Sequence, residues 1–168
     1  MREGYVRDRR SPKPSSDAAS RVMSANKGKN TSPELVLRKM LRERGHPGYR
    51  LHFNVPGRPD ISYPGRKVAI FVNGCFWHRC PTCDLPIPKS NTQFWKDKFR
   101  KNTERDACKA ETLTKMGWNV LVVWECDLCN RPNEIVDGIV NALEGARTAT
   151  VSEIATVSGT RDQQAYMH

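Results

Sequence analysis

At 168 residues the chain is long enough for one domain with a true core and too short for two full ones. Lys and Arg (28) outnumber Asp and Glu (18), giving a net charge of +10, and residues 1–50 alone hold 13 Lys/Arg against five Asp/Glu, so a polyanion partner, most simply nucleic acid, is indicated. No apolar run approaches the length of a membrane span and the first ten residues, MREGYVRDRR, lack an apolar leader segment, which excludes a membrane role and predicts a cytoplasmic protein.

Residues 1–22 are rich in Arg, Ser, Pro and Asp with almost no apolar pattern, and read as a disordered basic arm. The folded body is expected over 23–145. Its first helix starts at TSPE, with Thr31 or Ser32 as N-cap, Pro33 in the first turn and Glu34 behind it. It runs to about Arg44, places Leu35, Val36, Met40 and Leu41 inward, and stops at Gly45. Tyr49, Leu51, Phe53 and Val55 alternate with Arg50, His52 and Asn54, the period of a half-buried strand. The turn PGRPD leads to Ile61 and Tyr63, and a second turn at 64–66 leads to the strand 68–72.

A proline-marked loop covers 80–91. Helical sequence follows to Met116, in one helix or in two broken near Lys101, with Phe94, Phe99, Ala107, Ala110, Leu113 and Met116 facing inward and Gly117 closing it. The run WNVLVVW, 118–124, reads as a strand buried on both faces, and a last helix spans Asn133 to Leu143. Residues 146–168 carry no core pattern and read as a flexible tail. This order predicts an α/β sheet flanked by helices.

The stretch VAIFVNGCFWHRCPTC, 68–83, ends an apolar strand in a turn, two aromatics, a histidine and three of the six cysteines. In a reducing compartment such cysteines are metal ligands rather than a disulfide framework. Two tetrahedral zinc quartets are possible. Spacing favours Cys80, Cys83, Cys126 and Cys129; strand ends favour Cys75, Cys80, Cys83 and Cys126. Metal-assisted phosphodiester hydrolysis further needs a carboxylate to hold Mg²⁺ and a base for the attacking water, roles open to Asp60 and His78. Phe76 and Trp77, adjacent on a loop of a basic protein, are candidates to stack on or wedge between bases.

The segments PGRPD, FVNGCFWH, FWKDKFRKNTERD and GWNVLVVWEC resemble, in order and spacing, the very short patch repair (Vsr) DNA mismatch endonucleases, over about residues 20–130. The resemblance implies a restriction-endonuclease-like fold with a central mixed sheet and a structural zinc site. It implies an enzyme, acting as a monomer on double-stranded DNA alongside mismatch-repair proteins, that nicks 5′ to the mismatched T of a T:G pair left by deaminated 5-methylcytosine. It assigns Mg²⁺ to Asp60 and the backbone carbonyl of Val72, the base to His78, the orienting carboxylate to Asp106, and a place near the metal waters to Glu34. It matches Phe76, Trp77 and Trp95 to intercalating aromatics and Met23 to a minor-groove contact. Zinc falls on Cys75, Cys80, Cys83 and Cys126, leaving Cys129 as an extra. Asn73 stands where a His is usual, and cannot titrate. The alternatives are an endonuclease for another DNA substrate and a zinc-bearing DNA-binding module without catalysis.

Overall fold

The structure is a computed structural model and describes residues 28–145; the basic arm, Met23 and the tail beyond 145 lie outside it. The elements in chain order are α1 (Ser32–Glu43), β1 (Ile61–Tyr63), β2 (Val68–Asn73), α2 (Thr92–Lys115), β3 (Asn119–Trp124), α3 (Glu125–Asn130) and α4 (Pro132–Glu144). The three strands form one mixed sheet in the order β1-β2-β3. β1 and β2 are an antiparallel pair joined by the 3₁₀ turn Pro64–Arg66. β2 and β3 are parallel, joined through α2, with Asn73 opposite Trp124. Parallel neighbours in register end at the same rim, so Gly74, Cys75, Glu125 and Cys126 all emerge there.

Alternation along β2 divides the core in two. Val68 and Ile70 join Leu121 and Val123 against Leu37 and Leu41 of α1 and Val136, Ile139 and Leu143 of α4. Ala69 and Val120 face the other way, onto Leu113 of α2 and Trp118. Among the described residues no helix is long and apolar enough to cross a membrane.

Four expectations are corrected. The segment 49–55 is no strand: it makes one bridge, Arg50 to Ser62, and its apolar residues go to opposite faces of the sheet. Tyr49 packs with the first core, Phe53 and Val55 with the second, and Leu51 is exposed. The chain wraps the sheet edge, and His52, with φ 47°, breaks the extension. On α1 it is Leu37 and Leu41 that point inward, while Leu35 and Val36 are exposed. α2 is a single helix of 24 residues, since no Gly or Pro interrupts it; Trp95, Phe99 and Leu113 are its buried positions, while Ala107 and Met116 are exposed. Finally, the short α3 intervenes between β3 and the last helix.

Candidate active site and thiolate cluster

One cleft of about 790 Å³ lies at the rim, and Glu34, Asp60, Val72, Asn73, His78 and Asp106 all line it, together with Phe76 and Trp77. They arrive from the first helix, the turn before β1, the end of β2, the loop after it and α2. Asp60 precedes β1, and its Oδ2 accepts a hydrogen bond from the Val72 backbone NH at 2.8 Å, tying the PGRPD turn to the end of β2. Burial pushes the Asp60 carboxyl up, the Val72 amide pulls it back, and the negative Glu34 raises it again. His52 and Arg38 draw it down in turn, but burial dominates and the ionised form of Asp60 is disfavoured. A hard divalent cation, which takes carboxylate and backbone oxygens, reverses that balance.

His78 sits on the loop after β2, in a turn closed by its own NH on Gly74 O at 3.2 Å. Its Nδ1 contacts Asp106 Oδ2 from α2, and the other carboxylate oxygen of Asp106 meets Lys109 Nζ at 3.4 Å. Burial alone would raise the Asp106 carboxyl, but the His78 hydrogen bond and charge, with Lys109 behind them, hold it below the ordinary aspartate value. An Nδ1–H given to a carboxylate leaves Nε2 as the basic nitrogen.

Glu34 is 2 % exposed and fully engaged. Its Oε1 accepts from Thr31 Oγ1 at 3.0 Å and Thr31 NH at 3.4 Å, its Oε2 from Asn30 NH at 3.0 Å and Arg38 Nη2 at 2.6 Å. Four donors fill the four acceptor positions of a carboxylate, so Glu34 acts first as cap and buried ion pair, with little left to hold a water. Both side chains of the Glu34–Arg38 pair are nearly inaccessible. Glu34→Ala therefore strands a buried guanidinium and costs about 3–5 kcal/mol, measurable by denaturant unfolding; a loss of nicking with unchanged stability would contradict this.

The aromatics form a pile. Phe76 meets Trp77 at 5.2 Å and Phe99 at 5.2 Å between ring centroids, both edge to face, and Trp95 lies 5.7 Å from Phe76 and 6.0 Å from Trp77. Phe76 and Trp77 are half-buried at the cleft. Trp95 is 8 % exposed and so floors the pile instead of standing at its surface. Asn102 Nδ2 fixes the loop by donating to Trp77 O at 3.0 Å.

Beside the cleft, the sulfurs of Cys75, Cys80, Cys83 and Cys126 all lie within 4.8 Å of one another, with Cys80 and Cys126 3.6 Å apart. A tetrahedral Zn²⁺ with Zn–S bonds of about 2.3 Å places its sulfurs about 3.8 Å apart, so this donor set could hold such a metal. This decides between the two quartets: Cys129 is exposed and outside the group. Burial pushes the Cys75 thiol up to about 11 and raises Cys126 further. For Cys80 burial is outweighed by the amides of Thr82 and Cys83 and the thiols of Cys126 and Cys83, and it falls.

His52, Arg58, Lys109 and Glu125 also line the cleft and were not singled out from the sequence. Glu125 follows directly on β3 and accepts the Cys75 NH at 3.4 Å, a contact that the WEC triplet signals only once β2 and β3 are known to be parallel.

Facing carboxylates, an imidazole held by a third carboxylate and a stacking face, joined in one cleft of a basic protein, define a hydrolase acting on a nucleic-acid backbone. The comparisons give the particular kind. Residues 14–84 match the DNA mismatch endonuclease Vsr family. The chain is 42% identical over 120 residues to the type II nicking enzyme V.NaeI of Lentzea aerocolonigenes, covering 68% of this chain and 71% of that one. It is 41% identical over 108 residues to the type II nicking enzyme V.XorIIP of Xanthomonas oryzae pv. oryzae, covering 64% and 79%. It is 34% identical over 125 residues to the DNA mismatch endonuclease Vsr of Escherichia coli, covering 74% and 80%. The chain belongs to the Vsr family and is a DNA endonuclease.

Proposed function

We propose that the protein nicks double-stranded DNA on the 5′ side of the mismatched T in a T:G pair, on a restriction-endonuclease-like scaffold. The observation carrying this reading is that Asp60, the His78–Asp106 pair and the Phe76–Trp77 face line one cleft. Asp60 and the backbone carbonyl of Val72 would hold Mg²⁺, which would supply polarisation of the scissile phosphate and a lowered pKa of water. His78 Nε2 takes the proton of the attacking water while Asp106 keeps the ring oriented and stabilises its positive form. The P–O3′ bond breaks, the 3′ oxygen is protonated, and the products are a 5′-phosphate and a 3′-hydroxyl. Asn73, nine-tenths buried at the end of β2, lines the cleft wall and moves no proton. Zn²⁺ on Cys75, Cys80, Cys83 and Cys126 ties the ends of β2 and β3 to the loop that carries His78.

Discrimination comes from the aromatic pile, since a wobble pair costs less to unstack than a matched one. Each stacking contact contributes about 1–3 kcal/mol, so Phe76→Ala with Trp77→Ala weakens binding to a T:G duplex about 30-fold or more and nearly erases its advantage over a matched duplex. An unchanged ratio in titrations of both duplexes refutes the wedge. The relatives named as type II nicking enzymes favour a second reading, an endonuclease of the same class for another DNA substrate. Strand-specific nicking of duplexes with T:G, other mismatches and no mismatch separates the two.

A further inference from the structure

Two side chains at the cleft have no part in the chemistry above. His52 and Arg58 both line it, and both have left-handed backbone, with φ of 47° and 46°, a region uncommon for residues other than Gly, in which His is enriched and Arg is not. Arg58 is the more strained of the two, because it precedes Pro59 and a residue before proline is steered to extended φ by the ring.

The neighbours impose this geometry. Gly57, at φ 78°, presses so closely on α2 that a Cβ there would lie 3.0 Å from Cβ and Cγ of Lys109. Arg58 NH donates to Val55 O at 3.0 Å, Pro59 is fully buried, and Asp60 is fastened to the Val72 NH. Fixed on both sides, the chain passes between Gly57 and Pro59 with Arg58 turned out to solvent. Among the described residues neither Arg58 nor His52 enters an ion pair. Glycine would meet the same backbone demand without strain. A guanidinium and an imidazole kept there, unpaired and aimed at a cleft that acts on DNA, mark strain held for a ligand.

We infer that Arg58 and His52 form a phosphate-binding notch that grips the backbone of the cleaved strand next to the scissile phosphodiester. The guanidinium fork matches two phosphate oxygens, and because Arg58 lies two residues before Asp60, the grip indexes the strand to the hydrolytic carboxylate. The inference rests on the reading of the cleft as the nicking site, but not on the T:G substrate.

The test uses the full chain and a fluorescein-labelled duplex in buffer without Mg²⁺ and without chelator, with affinity measured across a salt series and thermal unfolding followed in parallel. Glycine at these positions relieves the backbone, so R58G and H52G keep or raise the melting temperature. R58G weakens binding about tenfold at low salt and makes the slope of log affinity against log salt shallower by about 1. R58K keeps the slope and loses part of the affinity, since it retains the charge without the fork. H52G weakens binding at unchanged stability. The slope is independent of the fraction folded, so an unchanged slope in R58G overturns the grip, and unchanged affinity in H52G overturns the part given to His52. A wild-type protein that binds duplex yet spares T:G would count against the proposed substrate alone, with the notch still judged by the slope.

Discussion

His78→Ala lowers the single-turnover nicking rate by about 10²–10⁴-fold and leaves duplex affinity unchanged. The size follows from geometry: Asp106 fixes Nδ1, so the ring presents one basic nitrogen to the cleft, and alanine leaves water to do its work. Asp60→Asn goes further and takes nicking close to background, because a neutral amide next to the Val72 NH holds a divalent cation far more weakly than a carboxylate does. Nicking that survives either change at near wild-type rate would remove that residue from the mechanism. Binding that fell together with the rate would make it a DNA contact instead.

On the proposed zinc reading, stripping the metal from the four cysteines destabilises the protein by about 5 kcal/mol or more and abolishes nicking, although no cysteine lies at the scissile phosphate in the proposed mechanism. Four sulfurs within 4.8 Å join the end of β2, the start of α3 and the intervening loop, and that loop carries His78. Metal-free thiols hold their protons more firmly here, since burial raises Cys75 and Cys126; metal binding displaces those protons, so retention weakens as pH falls. Cys126→Ser loses bound zinc and melts lower in calorimetry, whereas Cys129→Ser, exposed and outside the cluster, does neither. Equal metal content in both variants would show that another residue completes the quartet.

Much of this architecture is visible in the chain itself, and the exceptions have physical reasons. Strands 61–63, 68–73 and 119–124 stand out because their apolar runs are short and bounded by turns. Tyr49 to Val55 misleads because alternation reports which residues are apolar, not which side of a sheet each will reach. Leu35 and Val36 mislead because a helix buries a narrow stripe, and Leu37 with Leu41 keeps the four-residue spacing that the core takes up. In the site, Asp60, His78, Asp106 and the cysteines are carried by compact motifs. His52, Arg58, Lys109 and Glu125 are not, since a left-handed backbone at a non-glycine residue leaves no mark in the sequence, and Glu125 gains its place only through strand pairing. Glu34 was legible as a cap and as a site residue at once, and its four hydrogen bonds give the cap priority.

Trp95, Phe99, Asn102, Asp106, Lys109 and Leu113 lie three or four residues apart on α2, so a single stripe of one rod floors the wedge, braces the base and anchors in the second core. From Trp95 to Asp106 that rod measures about 16 Å. On the proposed reading it is a ruler: the offset between the opened base step and the cut is set by helical rise, and inserting one residue between the two would swing the base about 100° off its bearing. Diversification among such enzymes is therefore free to alter the bases recognised at the wedge, while the position of the nick travels only in whole helical turns.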